Sequence, residues 1–496
     1  MTEATRRWRP ERFRALFDPR GVVVVGASTH PGKFGFVALH NLLAAGYQGR
    51  VFATNREAEA VLGVAAVASV DELPHGEIDL AFVCTPATTN AAILRACAAK
   101  GITAAFVASA GYGEAGAAGA AAQHELAALA TELDLLVVGP NGQGVLSTPS
   151  ALCAQIVAPY PPAGRIGIAS QSGNVVSSLA NYARHHGVGI SRAVSVGNAA
   201  VVGVADFLDF YADDTETSVG LAYLEGVGDG RVLADRLRSV VARLPVVLVK
   251  GGASAAGARA AASHTGSLAT DDRILDGALR QAGVVRAASI EEAYDLAATF
   301  ATQPLPRGGR VAVVTTAGGW GVMAADAIGR ARGLELARLP DDLVAALDGE
   351  LPPRWSRSNP VDLAGGETRD TIPTVLGLVA RHPAVDAVVL LGMGVQANQG
   401  RLEREGPFFP DHGLARIVDY HERQDRRFAT VAAELSREVA KPVLVASELA
   451  VADRDNPAVA ACRDAGVLCY ASADRAVTAL AALRRHARWR AARGLT

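Results

Sequence analysis

One histidine, His264, stands in the stretch AAASHTGSLAT (260–270) among uncharged, mostly small residues. An imidazole with an ordinary pKa near ~6.5 is substantially neutral at cell pH and can act as a nucleophile. A loop of Ala, Gly, Ser and Thr lets another backbone or a phosphate approach closely, and it can move. The same composition fits a surface histidine in a flexible connection, and this stretch alone does not separate the two. Glu225 closes the apolar run LAYLEG (221–226). A carboxylate there is costly unless hydrated or paired, and pairing with one imidazole nitrogen leaves the other free to attack. In SQSGN (170–174), Ser172, Gly173 and Asn174 open the helical run VVSSLANYARHHG and offer a hydroxyl and free N–H groups. A plain N-cap explains Ser172 equally well. GASTHPGKFG (26–35) follows a strand and precedes a helix, a turn that sets N–H groups and a helix dipole against an anion, usually a phosphate. The dinucleotide fingerprint GxGxxG is absent, and Asn55-Arg56 stands where an NAD site favours an acid. PGKF also lacks the P-loop frame. A nucleotide bearing phosphates fits this turn better than NAD, and a purely structural turn is the other reading.

Such residues need strands that end at one edge and helices that begin there. Short β-branched runs alternate with Ala/Leu-rich helical segments along the chain, which predicts βαβ units and mainly parallel sheets. The first set is GVVVVGAS, GRVFATN, DLAFVCTPA, TAAFVASAG and LLVVGPN. PYPPAG (159–164) reads as a linker, followed by RIGIASQSG, RAVSVGN, VGLAYLEG and PVVLVKGG. TQPLPRGG (302–309) is a second break, followed by RVAVVTTAGG, AVVLLGMG, PVLVASE and GVLCY. The expected fold class is α/β, with three Rossmann- or flavodoxin-like units.

At 496 residues the chain is too long for one core, and three domains suit its length. A net charge of -2 gives no general argument for nucleic acid or a membrane surface. The basic run RRHARWRAAR near the C-terminus fits a solvated helix end. Five scattered cysteines without a CxxC pair fit a reducing cytoplasm and argue against a disulfide framework or a zinc site. No apolar run reaches the ~18 residues of a bilayer span, and no signal core follows the charged N-terminus. No metal site is expected in the chain.

VVVVGASTHPGKFGFVALHNLLAAGYQGRVFATN, GPN, IASQSGNV, VSVGN, YLEG and GARAAASHTGSLA occur in that order and continue into TTAGGWGVMAADA and WSRSNPVDL. Together they resemble the α subunit, or α-like region, of the nucleoside-diphosphate-forming acyl-CoA synthetases. This is the superfamily of succinyl-CoA synthetase and ADP-forming acetyl-CoA synthetase. The resemblance implies a CoA-binding Rossmann-like domain over 1–145, with CoA against Gly26, Ala27, Ser28, Lys33, Thr85, Pro86, Ser109, Ala110 and Gly111. It implies a succinyl-CoA-ligase-like domain over 146–302 that carries the phosphohistidine loop. His264 is there the phosphorylated residue, Glu225 its support, and Ser172, Gly173 and Asn174 the phosphate holders. Residues 303–496 correspond to a flavodoxin-like ligase-CoA domain.

The implied chemistry converts an acyl-CoA and phosphate into an acyl phosphate, whose phosphoryl group passes to His264, with a small carboxylic acid and CoA as products. Positioning and donated hydrogen bonds carry most of such a transfer. No stretch has the length or pattern of the family's ATP-grasp domain. A β subunit is therefore expected to bring ATP/ADP and Mg, in an α2β2 assembly. Three departures stand out: Gly142 in GPNGQG, where relatives commonly carry cysteine, Trp320 in AGGWG, and the stretch 392–412. They leave room for an alternative, a non-catalytic CoA or acyl-CoA sensor that keeps the fold. An NAD-linked oxidoreductase is disfavoured by the missing fingerprint. The acid, the choice of ADP or GDP, and the direction of the reaction are left open.

Overall fold

A computed structural model describes residues 9–157, 159–257, 259–260, 271–363, 365 and 370–495. The chain forms two compact units, the first comprising 1–184 and 189–294, the second 185–188 and 295–496. The first unit holds two sheets. One consists of β1 (Gly21–Val25), β2 (Arg50–Thr54), β3 (Ala66–Val67), β4 (Leu80–Val83), β5 (Ala104–Val107) and β6 (Leu136–Val138). Their order is β3-β2-β1-β4-β5-β6, and every pairing is parallel. β1, β4, β5 and β6 are buried along their whole length, as strands covered by helices on both faces must be. Val23, Val25, Val83 and Val107 pack with Leu94 and Leu126 from the covering helices. The strand order reverses between β1 and β4, the place where open α/β sheets bind ligands above the strand ends.

The second sheet contains β7 (Gly144–Ser147), β8 (Leu152–Gln155), β9 (Ala163–Ser170), β10 (Ile190–Ser195), β11 (Val219–Leu224), β12 (Val246–Lys250) and β13 (Val285–Ala287). Its order is β13-β12-β11-β9-β10-β7-β8. The parallel strands have flavodoxin order, and that order reverses between β9 and β11, with SQSGN after one and Glu225 after the other. The hairpin β7–β8 adds antiparallel to β10. PYPPAG therefore joins two strands of one sheet and is not a linker between domains. The prolines misled because their missing donors suit an edge connection as well as a boundary.

Within this unit the first helix, Pro10–Phe17, carries Phe13 and Phe17 against Phe207, Phe210 and Tyr211, with ring centroids 5.1–6.0 Å apart. Buried Arg192 on β10 binds Asp18, Asp214 and the Ser147 hydroxyl and lies over the Phe17 ring. Burial works against this cation, but the two aspartates outweigh it and raise its pKa.

The second unit holds β14 (Arg310–Thr315), β15 (Glu335–Leu336), β16 (Val361–Asp362), β17 (Ala387–Leu391), β18 (Val443–Ala446) and β19 (Cys469–Tyr470). Their order is β15-β14-β17-β18-β19, with β16 also beside β14. This unit begins at Asp295, inside the helix Ile290–Thr302, ahead of the boundary expected at 303. The reason is packing. Asp295 accepts from Nε and Nη2 of the Arg475 guanidinium, and the Thr299 hydroxyl meets that of Tyr470. The stretch 392–412 is not all loop, since Val395–Arg404 is a helix packed on the long helix Leu414–Val439. Among the described residues no helix is long and apolar enough to cross a membrane.

Candidate functional site

The turn after β1 is held from below and left open above. Gly26 has φ +85°, and the Gly26 and Ala27 N–H groups both donate to the Thr54 carbonyl. Ser28 Oγ accepts from the His30 N–H. The helix Phe34–Ala44 then starts without a side-chain cap, so its first donors and the exposed Lys33 face outward. A Cβ at Gly35 would lie 2.1 Å from the Gly26 carbonyl oxygen, so the helix approaches the turn as only glycine allows. This is the close-packing task of the last glycine in a dinucleotide fingerprint, performed here at a different spacing.

Thr85 and Pro86 follow β4, and Ser109, Ala110 and Gly111 follow β5, so all three loops share one sheet edge. Thr85 Oγ1 donates to Asn90 Oδ1, and Asn90 Nδ2 donates to the Ser109 and Tyr112 hydroxyls. The Gly111 and Tyr112 N–H groups donate to Glu114, as does Asn198 from the loop after β10. Burial pushes the Glu114 carboxyl up, but these hydrogen bonds outweigh it and hold its pKa below the ordinary value. Gly111 thus has its N–H committed, and what it offers a ligand is bare backbone at φ +104°. Burial pushes the neighbouring Cys84 thiol up to about 12, so it stays protonated and unreactive.

On the second sheet, Ser170 Oγ accepts from the Ser172 N–H and donates to the Ser172 carbonyl, shaping the turn into the helix Gly173–His186. Among the described residues no side chain caps that helix, and the Ser172 hydroxyl has no partner. Asn174 Oδ1 accepts from Gln143 Nε2. Gln171 reaches across the switch point. Its Oε1 accepts from the Glu225 and Gly226 N–H groups, and its Nε2 donates to the Gly226 carbonyl. Lys250 Nζ donates to the Glu225 and Gly251 carbonyls. Glu225 is half-buried on the same face of β11 as Tyr223. Burial, and then the Glu225 carboxylate, push the Tyr223 phenol up to about 12, so it remains a donor beside Glu225.

A cleft of about 520 Å³ joins the two edges within the first unit. Its lining brings together Ala110, Ser172, Gly173, Asn174 and Glu225. Gly26, Ala27, Ser28, Lys33, Thr85, Pro86, Ser109 and Gly111 lie outside it, along the first sheet's edge. His264 lies outside the described residues. Gly142 also lines the cleft, and a Cβ there would come 2.6 Å from both the Phe106 ring and the Ser195 carbonyl. Phe106, stacked on Phe82 at 5.1 Å, fills the space a side chain would need. Gln171, Tyr223, Lys250 and Asn90 were not singled out from the sequence. Lys250 gave a signal as a charge closing the buried run VVLV, and Asn90 as a carboxamide on the apolar stripe it shares with Leu94 and Cys97.

Residues 20–148 match the CoA binding domain, 163–300 the succinyl-CoA ligase like flavodoxin domain, and 311–395 the ligase-CoA domain. Acetate–CoA ligase (ADP-forming) I subunit alpha of Pyrococcus furiosus is 33% identical over 97% of this chain and 98% of its own length. The II subunit alpha of the same organism is 37% identical over 76% of this chain and 81% of its own. Acetate–CoA ligase (ADP-forming) I of Archaeoglobus fulgidus is 37% identical, and the matched region is 54% of that longer protein. Among solved structures, the dinucleotide forming acetyl-coenzyme A synthetase 1 of Ca. Korarchaeum cryptofilum, in complex with phosphate and ADP, superposes with a TM-score of 0.82. It is 30% identical over 97% of this chain and 98% of that one. The chain belongs to the nucleoside-diphosphate-forming acyl-CoA synthetases, as an α-type acid–CoA ligase subunit.

Proposed function

We propose that this subunit performs the half-reaction between an acyl-CoA, phosphate and its own His264. The observation that carries the reading is the cleft linking the first sheet's loop after β5 to the helix start at Ser172–Gly173 and to Glu225. CoA lies along Gly26, Ala27, Ser28, Lys33, Thr85, Pro86, Ser109, Ala110 and Gly111. Phosphate sits on the Gly173 and Asn174 N–H groups and the Ser172 hydroxyl, where a helix start favours an anion. A phosphate oxygen attacks the thioester carbonyl, the C–S bond breaks, and CoA leaves as a thiolate that takes up a proton. An imidazole nitrogen of His264 then attacks phosphorus, the bond to the acyl oxygen breaks, and the carboxylate departs. Glu225 accepts the N–H of the other imidazole nitrogen and stabilises the charge that develops on the ring.

Among the described residues, the lining of the cleft presents Glu114 and Glu225 and no lysine or arginine. A second carboxylate on the acid would meet like charge there, which favours a monocarboxylic acid. An ATP-grasp β subunit that carries ADP/ATP and Mg completes the cycle in an α2β2 assembly. Support comes from the end-to-end match with a relative that is itself an α subunit. A cytoplasmic location suits five cysteines that are all free.

The test is co-purification with the β partner and incubation with γ-labelled ATP. Acid-labile label that His264→Ala abolishes and Glu225→Gln slows by ~10²-fold is the expected result. Label persisting in His264→Ala would falsify the proposal. In an acid panel with CoA and ATP, succinate outpacing every monocarboxylate overturns the substrate assignment.

A further inference from the structure

Asn90 is completely buried in the helix Ala87–Ala99, yet it touches neither the cleft nor solvent. Its carboxamide makes three hydrogen bonds, all to hydroxyls: from Thr85 at 3.0 Å, to Ser109 at 2.9 Å and to Tyr112 at 2.8 Å. Thr85 belongs to the loop after β4, Ser109 and Tyr112 to the loop after β5. With its hydroxyl held by Asn90, Thr85 turns its methyl group to the turn after β1, where that carbon lies 2.9 Å from the place of a Gly26 Cβ. One buried amide thus sets the geometry of three ligand-facing loops at once. A helix interior of Ala, Leu and Cys has no use for such a group on its own account, because burying an amide is costly unless its bonds are made.

We infer that Asn90 is a positioning residue for CoA, acting through Thr85, Ser109 and, by the Thr85 methyl, Gly26. The inference rests on the reading that this edge takes CoA. The two fail separately: a wild-type chain that shows no CoA binding by calorimetry refutes that reading, whereas the effect of Asn90 is a comparison between variants.

Asn90→Leu keeps the heavy-atom branching and removes the three bonds. With the β partner present, its KM for CoA rises ~10-fold, while kcat at saturating CoA and KM for phosphate stay within ~2-fold of wild type. Asn90→Asp discriminates further. All its partners are hydroxyls, which can turn and donate to a carboxylate, so it restores the CoA KM to within ~3-fold of wild type. Ser109→Ala costs less when added to Asn90→Leu than it does in wild type, because the part of its effect that runs through Asn90 is already lost. An unchanged CoA KM in folded Asn90→Leu, losses that add fully in the double variant, or CoA and phosphate parameters falling together overturns the inference. Should Asn90→Leu not fold, the decision passes to Asn90→Asp with Tyr112→Phe. A CoA KM held near wild type in both supports the inference, and a rise in the CoA KM above ~10-fold in Asn90→Asp refutes it.

Discussion

At the lower end of the first sheet, Arg20 donates its backbone N–H and two guanidinium bonds to Asp79 and a further one to the Gly76 carbonyl. At the lower end of the third sheet, Arg310 does the same with Asp386 and the Pro383 carbonyl. The aspartate in each case immediately precedes the central strand next to the arginine's own, β4 in one sheet and β17 in the other. At the opposite ends the two sheets part company. In the third, the helix Gly318–Arg330 begins without a side-chain cap, with Asp362 Oδ2 2.7 Å from the Cβ position of Gly318. Asp425 accepts from the N–H groups that open the helix Val395–Arg404. In the first and second sheets the corresponding helix starts, at Phe34 and Gly173, carry no side-chain cap among the described residues. A helix start left without its own carboxylate remains free for an anion from outside. The helix Val395–Arg404 of the third sheet thus has its start filled by Asp425 from a neighbouring helix, whereas the starts at Phe34 and Gly173 carry no such carboxylate among the described residues.

Closing an open start is the strongest way to break this comparison. Ser172→Asp supplies a carboxylate to the helix Gly173–His186, and turnover with phosphate falls by ~10²-fold or more. The thermal midpoint does not fall, since an N-cap aspartate stabilises a helix by ~1 kcal/mol. Activity near wild type in that variant removes the contrast between the sheets. Lys250→Met comes next. It frees the Glu225 and Gly251 carbonyls, and kcat drops ~10-fold while the CoA KM stays put. The converse change, Asp425→Ala in the third sheet, lowers stability by ~1 kcal/mol in denaturant unfolding and leaves both KM values unchanged.

The smallest effects are in pH. Burial pushes Asp79 and Asp386 up, but the Arg20 and Arg310 hydrogen bonds outweigh it and lower both pKa values. Their stabilisation is present above the ordinary carboxylate range and is lost as pH falls through their lowered values. Asp425 runs the other way. Burial raises it to about 6 against its backbone hydrogen bonds, so its contribution is present at low pH and lost as pH rises through 6. Thermal unfolding from pH 5 to 7 should show the second unit weakening in wild type and not in Asp425→Asn. Equal slopes for the two proteins would remove Asp425 as the cause.

Much of this was legible in the residues. The runs GVVVV, LAFV, AAFV and AVVLL are short, β-branched or apolar throughout, and each became a buried parallel strand. The turns after them were legible too, because glycine and small polar residues mark strand ends. β3, β15, β16 and β19 are two residues long, and only β19 fell within an expected strand. The others escape periodicity, which needs several residues to show. The hairpin β7–β8 escaped for another reason: its strands are completed by β10, some forty residues further along the chain. The stretch around His264 was conspicuous by composition, while the clamps on Glu225 were not, since Gln171 and Lys250 reach it across neighbouring strands.

By itself, the sequence determined the alternation of strands and helices, the glycines at the strand ends, the family motifs and the residue types that could carry a phosphoryl group. Those follow from local periodicity, backbone freedom and side-chain chemistry, which each stretch carries within itself. Only the tertiary structure decided that Ser172 and Glu225 line one cleft with Ala110, that Asn90 ties two loops together, and that Asp425 fills the start of the helix Val395–Arg404. These depend on which strands become neighbours, and strand order is set by the packing of whole sheets rather than by any one stretch.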